Sequence, residues 1–239
     1  MLGKKTGPTK AKGARQAMTI KSDVAIDTGK KRIRGTLIVP GGATAVVVFA
    51  HGSGSGRFSP RNQFVAQVLQ EAGLATLLVD LLEDEEANDR AHVFDIALLA
   101  GRLESVALWL ASQPETAPMR LGYFGASTGA GAALSAAANQ GESVGAIVSR
   151  GGRPDLARAA LSRVAAPTLL IVGGNDETVL ELNREAYDLL RCPRKLEVVP
   201  GASHLFSEPG ALEEVARLAR DWFLHYLPRT SEGGTAPCC

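Results

Sequence analysis

The chain has 239 residues, 45% of them hydrophobic, so it is long enough to bury one substantial core and fits a single domain. Its net charge is +1, but five lysines and arginines lie in residues 1–17, which contain no acid, and the remainder therefore carries −4. A slightly acidic body argues against a nucleic-acid groove, and no segment approaches membrane-spanning length, so neither nucleic acid nor membrane is an expected partner.

The two ends of the chain have the composition of tails around one domain. We expect a flexible basic leader over residues 1–17, one α/β domain over 18–229 and a flexible C-terminal tail over 230–239. The leader lacks the apolar core of a secretory signal. Three cysteines form neither a disulfide framework nor a metal-ligand spacing, so a reducing cytoplasm is the expected location. Cys238-Cys239 lacks the C-a-a-X arrangement, which favours a plain tail over a lipidation site.

Apolar patterning predicts strands that alternate with helices. Two alternating segments, 18–26 and 32–40, flank a turn at 27–30 and predict a hairpin at one edge of a sheet. Later strands are predicted at 45–50, 74–81, 121–126, 144–149, 168–172 and 195–199. Helices are predicted at 60–72, about 93–110, 130–138, 156–162 and 179–191, with a last helix that starts near Pro209.

This alternation predicts an α/β fold, a doubly wound, mostly parallel sheet of about eight strands with helices on both faces. The continuously apolar strands suit a sheet that is covered on both sides. In such sheets, functional groups gather beyond the carboxyl ends of the strands. The residues that follow predicted strands, and so deserve scrutiny, are His51, Asp80, Ser127, Arg150, Asp176 and His204.

Residues 121–131 carry the strongest local motif. An apolar strand ends in Gly125-Ala126-Ser127-Thr128-Gly129, and a run of small residues follows at once. Strand, sharp turn and helix make a nucleophile elbow, in which the glycines let neighbouring backbone pass close to the serine. An ordinary Gly- and Ser-rich turn before a helix would have the same composition. Ser127 therefore needs a base and an acid elsewhere in the chain to act as a nucleophile.

Two histidines follow Ser127 in the chain. His204 lies in a glycine-containing loop directly after a strand, whereas His225 lies inside the last helix, so His204 is the predicted base. Asp176 follows the strand between the two and is the predicted acid, with Glu177 a weaker candidate. An Asn-Asp turn without chemistry would also explain that segment. The order Ser, Asp, His is the order expected of an α/β-hydrolase.

Acyl transfer also requires N–H donors for the oxyanion. The first is predicted to be the backbone N–H of Thr128, directly after the nucleophile. The second is predicted in the glycine-rich loop at 50–57, with Ser53 first and Gly54 next. The loop lacks the spacing of G-x-G-x-x-G and of a P-loop, which disfavours a phosphate site. His51, which precedes the loop, is interpreted as structural.

The chain resembles an α/β-hydrolase of the dienelactone hydrolase-like group over about residues 46–206. The segments that carry the resemblance are His51-Gly52-Ser53-Gly54-Ser55 with Ser59-Pro60-Arg61-Asn62, the elbow, Gly173-Gly174-Asn175-Asp176 and Gly201-Ala202-Ser203-His204. The resemblance implies the α/β-hydrolase fold and hydrolysis without a cofactor or metal. The eponymous enzymes use a cysteine nucleophile where this chain has Ser127, so ester, lactone or thioester hydrolysis stays open.

Two further features bear on the substrate. Only 16 residues, 151–166, occupy the connection in which many α/β-hydrolases insert a cap, so we predict a minimal cap and an open site for small acyl groups. Arg150 and Arg57, and less so Arg61, could hold a substrate carboxylate, although each could instead pair with a structural acid. The acidic run at 83–89 lacks metal-ligand spacing and is interpreted as a solvated loop and the start of a helix.

The leading hypothesis is a serine hydrolase that cleaves small carboxylic esters or lactones through an acyl-enzyme on Ser127. Its expected partner is the small-molecule ester or lactone itself. Two alternatives use the same fold. One is a binding protein whose triad is idle, because fold does not dictate activity. The other is an acyltransferase in which a different acceptor replaces water.

Overall fold

A computed structural model describes residues 18–29 and 31–227. The expected leader at 1–17 and tail at 230–239 lie outside the described residues. The strands are β1 (Ile20–Asp27), β2 (Arg32–Val39), β3 (Ala45–Ala50), β4 (Ala75–Val79), β5 (Arg120–Ala126), β6 (Val144–Arg150), β7 (Thr168–Gly173) and β8 (Arg194–Val199). The α-helices are α1 (Pro60–Glu71), α2 (Asp84–Ala87), α3 (Arg90–Val93), α4 (Ile96–Ser112), α5 (Thr128–Gln140), α6 (Glu177–Leu189) and α7 (Ala211–Tyr226).

The eight strands of the described residues form one sheet in the order β1-β2-β4-β3-β5-β6-β7-β8. β1 and β2 form the predicted edge hairpin, and β2 runs antiparallel to β4. The six strands β4, β3, β5, β6, β7 and β8 are mutually parallel. After β3 the chain adds β4 on one side and then β5 on the other. The loops that follow β3 and β5 therefore leave the sheet side by side, at the point where α/β sheets bind ligands.

Helices cover both faces of the sheet, as the apolar strands predict. Val47 and Phe49 of β3 pack towards α1 and α7, whereas Val46 and Val48 pack into the core that α4 and α5 cover. β3, β4, β6 and β7 are buried along their whole length. The doubly wound α/β fold is confirmed. None of the helices in the described ranges is long and apolar enough to cross a bilayer.

The helix predicted over about 93–110 is divided in the structure. α3 ends at Val93 and α4 begins at Ile96, because the carboxylate of Asp95 accepts a hydrogen bond from the Leu98 N–H and starts a new helix.

The other differences lie in the second half of the chain. The prediction of a helix over 156–162 was wrong in type, since two 3-10 helices, Pro154–Ala157 and Leu161–Arg163, fill this short connection. They are its only helices, which confirms a minimal cap. The last helix begins at Ala211, after Gly210 in a left-handed conformation (φ 79°), so Pro209 lies outside it.

Candidate active site

Ser127 lies at the apex of the turn between β5 and α5, with φ 49° and ψ −120°. A positive φ is uncommon outside glycine and costs free energy. The backbone holds this conformation, because the Ser127 N–H donates to the Arg150 carbonyl (3.3 Å) and its own carbonyl accepts from the Arg153 N–H (3.0 Å). The side chain occupies the N-cap position of α5 without capping the helix, so Oγ is left free for chemistry.

Two glycines bring the β3 loop against this turn. A Cβ atom on Gly129 would overlap the carbonyl oxygen of Ala50, and one on Gly52 would stand 2.9 Å from Cβ of Ser127. Backbone approaches this close exclude any side chain at either position. Gly129 of the elbow and Gly52 of the loop therefore allow the loop after β3 to contact the turn that carries the candidate nucleophile.

His204 and Asp176 meet as the sequence predicts. Nδ1 of His204 lies 2.6 Å from Oδ2 of Asp176, and the aspartate is the more buried of the two. Asp176 takes the N-cap position of α6, yet its carboxylate makes no capping bond. With Nδ1 bound to the carboxylate, Nε2 is the ring nitrogen left to exchange a proton.

The loops after β7 and β8 are joined to each other next to the elbow. Asn175 donates through its backbone N–H to the carbonyl of Ala202 and through Nδ2 to that of Gly201, both at 2.9 Å. A Cβ on Gly151, the residue after β6, would lie 3.5 Å from Nδ1 of His204. The imidazole therefore lies over the end of β6, the strand that pairs with the Ser127 strand.

The two candidate oxyanion donors, Ser53 and Thr128, line one small cavity. Thr128 is the first residue of α5, where an N–H has no acceptor within the helix. Neither N–H donates to a backbone acceptor among the described residues. The elbow thus has two available N–H donors beside it.

Comparison with known protein families identifies the family to which a chain with this fold and this order of residues belongs. A model of the dienelactone hydrolase family matches residues 33–226. The chain belongs to the dienelactone hydrolase family. A crystal structure of a dienelactone hydrolase from Anabaena variabilis is 54% identical, with a TM-score of 0.86 over 90% of this chain and 100% of that one. Est1E from Butyrivibrio proteoclasticus, 16% identical, shares the fold with a TM-score of 0.73 over 85% of this chain and 98% of its own.

Two curated relatives, both named putative phosphoribosyl transferase, come from two strains of Mycobacterium tuberculosis. Each is 59% identical over 205 residues, which are 86% of this chain and 46% of the relative. The chain therefore spans about half the length of the curated relatives it matches. Membership of the dienelactone hydrolase family supports a hydrolase.

In this member of the dienelactone hydrolase family, His51 ties the β3 loop to the end of β4. The ring is buried, its Nε2 accepts a hydrogen bond from the Leu81 N–H (2.9 Å), and Nδ1 lies 3.0 Å from the carbonyl of Gly52. Burial lowers the pKa of His51, which favours the neutral ring that these two bonds require. His51 therefore holds the loop that carries Ser53.

Two of the candidate arginines, Arg57 and Arg150, differ in their partners. Arg57 donates its backbone N–H to Asp80 at 2.7 Å, and its guanidinium lies 3.4 Å from the same carboxylate. Arg150 is 7% exposed, contacts Oδ1 of Asn62 at 3.4 Å, and has no partner for its Nε among the described residues. Burial, with repulsion from Arg61, lowers the pKa of Arg150 to about 10. Arg150 is thus a buried cation that no acid of the described chain neutralises.

One largely buried ion pair, Glu86 with Arg102, is not predicted from the sequence. Glu86 was interpreted as part of a solvated acidic run, but both of its carboxylate oxygens accept from Arg102 at 2.7 Å. Arg102 is buried and also donates to the carbonyl of Leu81 at 2.6 Å. The sequence signal for this pair is Arg102 itself. It places a charge one turn from Leu99 and next to Leu103, on the apolar side of α4, where a buried arginine needs an acid as its partner.

The cavity beside the candidate nucleophile is small. We call it the β3-loop cavity; its volume is about 20 Å³, and its lining comprises residues 51–55, Thr128, Leu82, Ala87, Val93 and Leu99. A larger cavity of about 390 Å³ lies at the opposite end of the sheet, near the starts of β3 and β5. The elbow and the His204–Asp176 pair, rather than cavity size, identify the candidate active site.

Proposed function

We propose that the chain is a serine hydrolase that cleaves carboxylic esters or lactones with small acyl groups. The observation that carries this proposal is the 2.6 Å contact between His204 and Asp176 beside an elbow that leaves Oγ of Ser127 uncapped. A serine hydroxyl is a weak nucleophile near neutral pH and needs this kind of oriented base.

In the proposed reaction, Oγ of Ser127 attacks the acyl carbon while Nε2 of His204 takes the hydroxyl proton. The carbonyl oxygen becomes an oxyanion that the N–H groups of Thr128 and Ser53 stabilise. His204 then protonates the leaving oxygen, which departs as an alcohol and leaves an ester on Ser127. Water repeats the sequence, releasing the carboxylic acid and restoring the serine. Asp176 holds the ring and stabilises the imidazolium that forms twice.

A substrate carboxylate is the proposed ligand of Arg150 or Arg57. Arg150 is the stronger candidate, because Asp80 already neutralises Arg57, whereas the one hydrogen-bond partner of the Arg150 guanidinium among the described residues is the Asn62 amide. A buried guanidinium is costly without a counter-charge, and a bound carboxylate would supply one.

The phosphoribosyl transferase name of the curated relatives is a second candidate function. Those proteins extend well beyond the region matched here, and the matched region is the one that carries the Ser127, Asp176 and His204 set. We therefore assign that name to the part of the relatives outside the match and propose hydrolysis for this one.

The decisive experiment is labelling with a fluorophosphonate probe, followed by turnover of short p-nitrophenyl esters and lactones. We expect labelling of the wild type, loss of labelling and turnover in Ser127→Ala, and wild-type behaviour in Ser135→Ala, a control on the same helix. Unlabelled, folded wild type would contradict the proposal and favour a binding protein. Ester formation with an added alcohol, at rates above hydrolysis, would favour an acyltransferase.

Asp176→Asn tests the orienting acid. Since the carboxylate does not cap α6, the variant is expected to keep its melting temperature but to lose about 10³- to 10⁴-fold in kcat, because an amide favours the wrong imidazole tautomer. Asp155→Asn, which breaks only a contact with Arg153, is the matched control. Near-normal kcat in Asp176→Asn would remove Asp176 from the mechanism.

A further inference from the structure

We infer that the first turn of α1, together with Arg61 and Arg150, binds a phosphate group on the alcohol half of the ester substrate. The inference rests on the proposed ester hydrolysis and names the chemical class of its substrate, a small carboxylic ester of a phosphorylated alcohol. We call the binding groups the α1 anion site, which comprises the backbone N–H groups of Arg61 and Asn62 and the guanidiniums of Arg61 and Arg150.

The helix α1 begins without partners for its first N–H groups. Ser59 occupies the N-cap position, yet its side chain makes no capping bond, and the first turn contains no acidic residue. The backbone N–H groups of Arg61 and Asn62 donate to no backbone acceptor among the described residues. Because unpaired N–H groups and the positive end of the helix dipole coincide here, an anion is favoured at this turn.

Arg150 brings a buried charge to the same turn and is evidence for a ligand that does not depend on the helix. The residue is 7% exposed, and one guanidinium nitrogen lies 3.4 Å from Oδ1 of Asn62. Its Nε is buried without a partner among the described residues. Since an uncompensated buried charge is strongly destabilising, this guanidinium calls for an anion that the described chain does not supply.

A second guanidinium gives the site two positive charges. Nε of Arg61 is also buried without a partner in the described part of the chain, and burial, followed by repulsion from Arg61, lowers the pKa of Arg150. Asp80 pairs with Arg57 instead. A carboxylate offsets one charge, whereas a phosphate monoester carries nearly two negative charges at neutral pH and three acceptor oxygens. A phosphate therefore matches both guanidiniums and the N–H groups of the turn.

The α1 anion site lies on the leaving-group side of the nucleophile. The Arg150 carbonyl accepts from the Ser127 N–H at 3.3 Å, and the imidazole of His204 lies against Gly151, the next residue. The guanidinium of Arg150 lies over the ring of Phe206, two residues after His204. Because His204 protonates the leaving oxygen, an anion at Arg150 belongs to the alcohol. The ester C–O bond breaks, and the alcohol leaves with its phosphate intact and a proton from His204.

Binding without turnover gives the first test. Phenyl phosphate, benzoate and inorganic phosphate are titrated into the full chain by calorimetry at about pH 7.5, where a phosphate monoester is mainly a dianion. We expect phenyl phosphate to bind about tenfold more tightly than benzoate, and Arg61→Gln and Arg150→Gln each to weaken it about 10- to 100-fold. Arg158→Gln, at an exposed pair with Glu185, is the matched control and should bind as the wild type does.

Turnover gives the second test. The values of kcat/KM are compared for 4-acetoxyphenyl phosphate and 4-acetoxybenzoate, which differ in the charge of the leaving group. We expect the wild type to prefer the phosphate about tenfold, and Arg61→Gln to remove most of this preference. If Arg150→Gln does not fold, Arg61→Gln, at a partly exposed position, still decides the assignment.

The outcomes separate the α1 anion site from the proposed hydrolysis. Equal binding of phenyl phosphate and benzoate, or phenyl phosphate binding that Arg61→Gln retains in full, overturns the site. Inorganic phosphate that binds as tightly as phenyl phosphate, with no preference for the phosphorylated ester, assigns the site to free phosphate and overturns its role in substrate binding. Arginine-dependent binding of phenyl phosphate without Ser127-dependent turnover of any ester overturns the hydrolysis and leaves the site in place.

Discussion

At the scale of single residues, the site uses two side chains that would ordinarily cap helices. Ser127 and Asp176 both occupy N-cap positions, and Ser and Asp are preferred there, yet neither side chain makes a capping bond. A missing cap costs about 0.5–2 kcal/mol of stability. The structure forgoes this stabilisation, and as a result Oγ is free and the carboxylate reaches His204.

Arg150 is a further single residue whose surroundings matter for the site, because its buried charge favours binding of an anionic ligand. It is the last residue of β6, and the imidazole of His204, the proposed acid for the leaving oxygen, lies over the end of that strand, so an anion on the leaving group is the one expected within reach of Arg150. Arg150→Gln is therefore expected to lower kcat/KM about 10- to 100-fold for 4-acetoxybenzoate, whose leaving group is anionic, because a charge-assisted hydrogen bond is lost. Phenyl acetate, which has a neutral leaving group, is expected to be turned over nearly as by the wild type.

The control for Arg150 is Arg158→Gln, which removes an exposed arginine paired with Glu185. It is expected to affect neither substrate. If Arg150→Gln slows both esters equally, Arg150 supports the loop at Phe206, over whose ring its guanidinium lies, and does not recognise an anion.

At the scale of elements, one ion pair, Arg102 with Glu86, joins α4 to α2 in the segment that follows β4. Arg102 holds the pKa of Glu86 at about 2, below its usual 4.5. Between these two pH values the unfolded chain binds a proton that the folded chain does not. The stabilisation is therefore complete above pH 4.5 and is lost as the pH falls towards 2.

Glu86→Gln tests this linkage. We expect the free energy of unfolding to fall by about 2 kcal/mol at pH 7, between the values for exposed and buried pairs, and the difference from wild type to shrink below pH 4.5. Urea unfolding at pH 7, 5 and 3.5 measures it. Glu185→Gln, at an exposed pair, is expected to cost less than about 1 kcal/mol. A difference that stays constant with pH would mean that the pair does not act through its charge.

At the scale of the whole molecule, the sheet order assembles the site. β3 and β5 are neighbours, so the β3 loop meets the elbow, and β7 and β8 are neighbours, so the acid loop meets the base loop. Among the described residues, the core clusters run from Val24 and Ile26 of β1 to Leu227 after α7, and all proposed catalytic residues lie between them.

A shortened chain of residues 18–229 is therefore expected to fold, to melt within about 3 °C of the full chain and to be labelled at Ser127. Thermal unfolding and probe labelling check this. A chain that starts at residue 28 is the contrast, because it also removes β1, whose Ile26 is fully buried, and should melt about 10 °C lower, on the order of a 4 kcal/mol loss. Failure of the 18–229 chain to fold would show that the core extends beyond these residues.

Local patterns were enough to predict the alternating elements, the elbow, and the order Ser127, Asp176, His204. Apolar periodicity indicates which side of an element is buried, and the glycines of the elbow indicate close backbone contact. Both features can be predicted from the local sequence, without knowledge of residues that are distant in the chain. The same patterns failed at 156–162, where a short connection lacks enough residues to sustain an α-helix.

Which charged side chains pair with one another is decided by the tertiary structure. Arg57 and Arg150 are chemically alike, but only the fold pairs Arg57 with Asp80 and sets Arg150 beside Asn62, 88 residues away in the chain. Glu86 likewise differs from its acidic neighbours only because α4 brings Arg102 to it. Charges and cavities depend on which side chains meet across elements, and these meetings follow from the packing of the whole sheet and its helices.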